Sequence, residues 1–140
     1  MNASEILKNY RTVAVIGLSR DPAKDSNRVA SYLKRKGYRI VPVNPLADEV
    51  LGEACYKSLL EVPEDLQRRI EIVDVFRPSD EVPEIVDLAI ELRDRVGNPK
   101  AIWLQIGISH PGAAARARNA GLEVVEDRCM MVEHIGLGGS

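Results

Sequence analysis

The sequence predicts an α/β fold: a doubly wound parallel sheet of about five strands with helices on both faces. Three observations predict it. Short runs such as residues 13–16 and 101–104 are apolar without alternation, as strands buried on both faces are. Between such runs, apolar residues recur at three- and four-residue spacings, the mark of helices packed by one stripe. Strand and helix alternate along the chain with short connections and no internal repeat or low-complexity linker, the pattern of a parallel sheet.

Ser4 is placed to cap a short helix through Tyr10. TVAVIG, residues 12–17, is the first strand, and the loop LSRDPAKDS follows. Ser26 is the expected N-cap of a helix over about residues 27–36, with Val29, Ala30 and Leu33 as its buried stripe and Gly37 as its end. YRIVPVNP is the second strand, where Pro42 lacks a ladder donor and so points to an edge or a bulge. EVLGEACYKSLLEVPED reads as a small irregular insert with one helical turn capped by Ser58. Residues 70–75 form the third strand, closed by Arg77 and Pro78. Ser79 or Asp80 starts a helix to about Val96, because Val82, Ile85, Val86, Ala89, Ile90 and Leu92 share one stripe; Gly97 and Pro99 stop it. AIWLQIG is the fourth strand, Pro111 opens a helix to Asn119, and Gly121 ends it before LEVVE, the fifth strand. The tail DRCMMVEHIGLGGS has room for one last helical turn.

The chain has 140 residues, 19 Lys and Arg against 21 Asp and Glu, and a net charge of -2, which fits one domain over residues 1–140 and favours no nucleic-acid partner. No apolar run nears the roughly 20 residues that span a bilayer, and MNASEILKNYR lacks a signal-peptide core, so the expectation is a cytoplasmic protein without a membrane partner. Cys55 and Cys129 allow at most one disulfide and match no metal-ligand spacing, so no metal is expected. Charge is nonetheless uneven. Residues 20–39 carry seven basic side chains against two acids, whereas residues 40–100 carry seven against fourteen. The basic segment is either a solvated helix face or a local field for a phosphorylated ligand.

In such a sheet, ligands bind beyond the carboxyl ends of the strands, beside the first strand. The candidate site is therefore residues 17–27, Asn44 and Pro45, residues 76–78, and residues 105–107. A dinucleotide fingerprint needs three glycines after the first strand, where this chain has Gly17, Ser19 and Pro22. The ribose-binding carboxylate is missing too, since Val43, Asn44 and Pro45 follow the second strand, although Asp48 a few residues on keeps an NAD reading open. No GxxxxGK[ST] P-loop exists. What remains is a helix N-terminus surrounded by Ser19, Arg20, Lys24, Ser26, Asn27 and Arg28, an arrangement that suits a phosphate group. Each has a plainer alternative: Ser26 as a cap, Arg28 in solvent, Arg20 holding the loop.

Catalytic groups are sparse. His110 and His134 lie in no HExxH motif and beside no nucleophile, and GxSxG is absent. Glu133 and His134 form either an acid-base pair or ordinary helix-end hydrogen bonds. Cys55 reads as structural. Cys129 follows Arg128 on the ligand side of the sheet, where a cation would make it reactive and burial would leave it inert.

Five blocks, VAVIGLSRDPAKDSNRVASYLKRKGYRIVPVNP, EVLGEACYKSLLEVP, IVDVFRPSDEVPEIV, AIWLQIGI and VVEDRCMMVEH, together resemble the small stand-alone CoA-binding domain proteins. These are related in fold to the CoA-binding domain of the succinyl-CoA synthetase alpha subunit. The resemblance implies a Rossmann-like domain that binds coenzyme A, with pyrophosphate on Gly17, Leu18, Ser19 and the 24–27 stretch. It implies adenosine contacts from Val43, Asn44 and Pro45 and from Phe76, Arg77 and Pro78. The absence of an acid after the second strand leaves room for a ribose 3′-phosphate, which Lys24, Arg20 or Arg77 would pair. Phe76 packs either on adenine or in the core. Gln105, Gly107 and Cys129 lie where the pantetheine arm would run.

The reading is a non-catalytic CoA-binding carrier, sensor or accessory subunit of an acyl-CoA enzyme. The alternatives are an NAD(P)-linked oxidoreductase, a CoA thiol-disulfide enzyme using Cys129, and an interaction protein with a vestigial pocket.

Overall fold

The computed structural model describes residues 1–138; the last two residues of the tail, Gly139 and Ser140, lie outside the described residues. The chain opens with α1 (Ala3–Asn9), capped by Asn2 and not by Ser4. Asn2 Oδ1 accepts the Glu5 N–H at 2.9 Å while Glu5 Oε1 accepts the Asn2 N–H at 3.0 Å. This reciprocal box needs a Glu or Gln three residues after the cap, and Ser4 has Leu7 there. β1 (Thr12–Ile16), α2 (Asp25–Arg35) and β2 (Arg39–Val43) follow.

The insert is more regular than its sequence suggests. β3 (Glu49–Val50) and β4 (Glu53–Ala54) pair as an antiparallel hairpin whose two turn residues, Leu51 and Gly52, have φ of 54° and 78°. Lys34 of α2 ties the hairpin down, donating to Leu51 O at 2.5 Å and pairing with Glu53 at 2.9 Å. The turn after Ser58 is a 3-10 turn (Leu59–Glu61) without a side-chain cap bond. Then come α3 (Glu64–Gln67), β5 (Ile72–Val75) and α4 (Val82–Val96). A 3-10 turn (Ser79–Glu81) precedes α4, so the regular helix begins later than Ser79 or Asp80 implies. β6 (Ala101–Leu104), α5 (Pro111–Asn119), β7 (Glu123–Val125) and α6 (Met130–Ile135) complete the order.

The five long strands form one parallel sheet in the order β2-β1-β5-β6-β7. β2 is an edge strand, which is where Pro42 is tolerated, and the Pro42 carbonyl accepts the Tyr56 N–H at 3.0 Å. Alternate residues feed two cores. Val13, Val15, Ile72 and Trp103 pack with Ile6, Leu7, Val29, Leu33 and Met130 of α1, α2 and α6. Ala14, Val73, Val75, Ile102 and Leu104 pack with Ile85, Val86, Ala89, Ala113 and Ala117 of α4 and α5. Trp103 is fully buried and donates its indole N–H to Arg128 O at 2.8 Å, so the large ring carries no unpaired donor.

One polar side chain lies in the middle of this sheet. Asp74, in register with Val15 and Trp103, is fully buried; its Oδ1 accepts from Gln105 Nε2 at 2.6 Å and its Oδ2 has no partner. Burial pushes the Asp74 carboxyl up to about 7, against the Gln105 hydrogen bond, which pulls it down. The folded chain holds this proton to about pH 7, while the unfolded chain releases it near 3.8. The stability tied to neutral Asp74 is therefore full below the unfolded value and is lost as pH rises through the folded one. Asp74→Asn keeps an acceptor for Gln105 and cannot ionise. It should exceed the wild type by roughly 4 kcal/mol at about pH 8 and by much less at about pH 4.5, measured by urea unfolding; equal gains at both pH values would show that Asp74 does not titrate in this range.

Candidate functional site

From β1 the chain passes to β2 on one side, and β5 lies on the other, so the loops after β1, β2 and β5 diverge around a crevice. Short polar bonds hold the loop after β1. Gly17 N–H donates to Val43 O at 2.8 Å, Asn44 Nδ2 to Leu18 O at 2.9 Å, and Asn27 Nδ2 to Ser19 O at 2.8 Å. Ser19 N–H donates to Ser26 Oγ at 3.0 Å. Ser26 is thus not the cap of α2: Lys24, in extended conformation, holds that position, and the Ser26 hydroxyl, one residue inside the helix, secures the loop. Leu18 is fully buried, and its carbonyl is taken by Asn44, so it supports the loop and lines none of the hollows around it.

Gly17 is the pivot. Its φ is +88°, and a Cβ built on it would stand 2.9 Å from Arg77 Cδ and 3.2 Å from Phe76 O. The Arg77 stem and the Phe76 carbonyl thus both crowd the place where a Gly17 side chain would stand. On the α4 side a cavity of about 280 Å³ is lined by Ile16, Gly17, Val43, Asn44, Pro45, Lys57, Ser58, Leu59, Arg77, Glu81, Glu84, Ile85 and Leu88. On the α2 side a second hollow is lined by Gly17, Ser19, Lys24, Asp25, Ser26 and Phe76. A third, with Ser19, Arg20, Asp21, Asn44, Leu46 and Ala47, shares Asn44 with the first and Ser19 with the second. The three hollows make a trough around the Gly17–Leu18–Ser19 turn.

The two sides differ in charge. Arg20 and Lys24 form no ion pair among the described residues, and they flank the start of α2, where the first helical bond is donated by Arg28 to Lys24 O and the preceding N–H groups face outward from the helix end. Other cations of the basic segment are engaged: Arg28 with Asp25 at 2.6 Å and Lys34 with Glu53 at 2.9 Å. On the α4 side, Arg77 pairs with Glu81 and Lys57 with Asp48, each at 3.0 Å. Lys57 holds the Asp48 carboxyl below its usual range, by hydrogen bond first and by charge second, and so occupies the acid that kept a ribose contact open.

Sequence reasoning placed Phe76, Arg77, Asn44, Pro45, Val43, Gly17, Ser19, Arg20, Lys24 and Ser26 around one site, and the structure brings these together in the trough. Asn27 lies just behind as a loop support. Phe76 lines the α2-side hollow and also packs against the core. Gln105, Gly107 and Cys129 are not in the trough lining. Gln105 is turned inward between Asp74 and the Met130 N–H, and Gly107, with φ +82°, donates its N–H to Asp127 at 2.6 Å. Cys129 is half-buried at the start of α6, and the neighbouring Arg128 is paired with Glu133 at 2.6 Å. That pairing also removes Glu133 from His134, whose Nδ1 meets Tyr32 OH at 2.7 Å. Burial, then Lys36 and Arg11, hold the His134 ring below its usual range.

Sequence reasoning missed the wall made by Lys57, Ser58 and Leu59 and by Glu81, Glu84, Ile85 and Leu88. The four-residue step from Arg77 to Glu81 was a visible signal; the insert offered none, because its pairing with β2 is non-local.

Residues 11–135 match the profile of the CoA binding domain. The chain belongs to the CoA binding domain family. It is similar to the uncharacterized protein YneT of Bacillus subtilis, 34% identical over 130 residues that are 93% of this chain and 90% of that one. It is also similar to an ADP-forming acetate–CoA ligase of Methanocaldococcus jannaschii, 31% identical over 102 residues, 73% of this chain but 13% of the ligase. A solved structure from Thermus thermophilus superposes with a TM-score of 0.85 at 39% identity, covering 98% of this chain and 99% of that one. This CoA binding domain chain thus matches some relatives along their whole length and spans only a small part of the ligase.

Gly17 should tolerate no side chain. Gly17→Ala meets both a positive φ and a backbone oxygen, whereas Gly97→Ala, at φ +87° with nothing within 4 Å, meets only the first. The expected losses in chemical unfolding are about 1–2 kcal/mol for Gly97→Ala and clearly more for Gly17→Ala; equal losses would mean that the β5 loop gives way freely.

Proposed function

We propose that the protein binds coenzyme A or an acyl-CoA in the trough around Gly17, as a non-catalytic carrier, sensor or accessory subunit of an acyl-CoA enzyme. The observation that carries this reading is the two-sided trough. One side offers the cation Lys24 and a helix N-terminus, with Arg20 in the adjoining third hollow, and the other side offers a largely apolar cavity, in a chain that belongs to the CoA binding domain family. Coenzyme A has the same polarity along its length: a pyrophosphate beside a flat adenine and ribose. In this reading the pyrophosphate lies against Gly17, Leu18, Ser19, Lys24, Ser26 and Asn27 with Arg20 at its edge, and the adenosine lies among Val43, Asn44, Pro45, Phe76 and Arg77. The pantetheine arm leaves over the backbone of Gln105 and Gly107.

In this reading residues 1–140 act as one binding unit that serves an acyl-CoA enzyme. The partner proposal draws on the ligase relative, in which the matched region is a small share of a longer chain. A cytoplasmic setting suits the two free thiols, Cys55 and Cys129.

In this reading Lys24, which lines the hollow on the α2 side of Gly17, serves the pyrophosphate. Lys24→Ala should weaken CoA and dephospho-CoA by similar factors, about tenfold each, in calorimetric titration. A loss confined to CoA would move Lys24 to the 3′-phosphate, and no binding of CoA by the wild type would remove the proposal.

A further inference from the structure

Arg77 stands at the seam between the two halves of the trough. Its aliphatic stem lies over Gly17, with Cδ and Cγ 2.9 and 3.4 Å from the position of an added Cβ. Its guanidinium is gripped by one carboxylate at two points: Nε donates to Glu81 Oε1 at 3.1 Å and Nη2 to Glu81 Oε2 at 3.0 Å. The other cation of this cavity is equally occupied, since Lys57 donates to Asp48 at 3.0 Å and to Ala47 O at 3.1 Å. Glu84 adds a carboxylate with no ion pair among the described residues. The α4-side cavity therefore presents no spare positive charge, unlike the α2 side.

An anion entering this cavity must either remain unpaired beside Glu81 and Glu84 or take a cation from its present partner. The Arg77–Glu81 pair is the one within reach of the seam. Its side chains are 48% and 40% exposed, so solvent and salt screen the pair and a more highly charged anion can compete for the guanidinium despite the two-point geometry. A phosphate dianion matches the guanidinium fork as a carboxylate does and carries more charge.

We propose that Glu81 is a resident counter-ion that a ligand phosphate displaces from Arg77, so that Arg77 favours nucleotides carrying a second phosphate group at the nucleoside end and Glu81 attenuates that preference. The proposal rests on the coenzyme A reading, in which that group is the ribose 3′-phosphate. Glu81 lowers the affinity for ligands that carry this phosphate, because they must displace it, and leaves the affinity for ligands that lack it nearly unchanged.

Calorimetric titration of the full chain with CoA and with 3′-dephospho-CoA tests this, using the wild type, Glu81→Gln, Arg77→Gln, the double variant and Glu84→Gln. Glu81→Gln should tighten CoA about two- to fivefold and leave dephospho-CoA nearly unchanged. Arg77→Gln should weaken CoA about tenfold, and in its background the gain from Glu81→Gln should vanish. A gain of equal size for both ligands, a gain that survives in the Arg77→Gln background, or an equal gain from Glu84→Gln would show a general field effect and overturn the proposal. CoA binding by the wild type with no change in Glu81→Gln would overturn it while leaving the coenzyme A reading intact. No CoA binding by the wild type would overturn both.

Discussion

Because Gly17 has no side chain and a φ of +88°, the loop after β1 passes close against the end of β5, under the Arg77 stem and beside the Phe76 carbonyl. The rest of the carboxyl edge depends on this approach. It turns the crevice into a trough with two sides, and it lets the adjacent residues Phe76 and Arg77 face different sides. The loop is then fixed by bonds that reach into two other segments: Val43 and Asn44 at the end of β2, and Ser26 and Asn27 at the start of α2. A turn held at so many points offers a ligand a surface that is already formed, which reduces the ordering cost of binding.

Charge follows the same division. The excess of basic residues between Arg20 and Arg39 is smaller in effect than its count, because Lys34 is paired with Glu53 from outside the segment, while Arg28 is paired with Asp25 within it. Lys34 serves as a fastener for the hairpin, and Lys57 as one for the segment before it. The charge left for a ligand is that of Arg20 and Lys24, on the side of the trough where the helix N-terminus also lies. The neutralised side is the one with apolar walls. A ligand with a charged middle and a flat, less polar end fits that polarity, and the family to which the chain belongs points the same way.

The strands and their order of appearance were legible because unalternating apolar runs and Gly and Pro stops are local signals, and Pro42 correctly marked an edge. Most of the trough was legible as well, since strand-end loops of a doubly wound sheet converge by topology. The misses share one cause. Ser4 and Ser26 are good caps by type, but Asn2 had Glu5 in reach, and Ser26 had the Ser19 N–H from across the loop. Gln105 was assigned to the ligand side from its position after β6, yet it turns inward because Asp74, buried in the neighbouring strand, offers it an acceptor. Each outcome was decided by a partner from another segment or by competition between two adequate capping residues.

By itself the sequence determined that this is a parallel α/β protein whose ligand edge begins at Gly17, and its ordered blocks carried the resemblance to CoA-binding domains. Periodicity, chain punctuation and block order are properties of the chain alone, so they needed no folded context. Only the tertiary structure decided which cations remain free, which side of Gly17 is apolar, that Asp74 is a buried acid, and that Arg77 is held by Glu81. Those facts depend on distances between segments far apart in sequence and on exclusion of water, neither of which a linear pattern specifies.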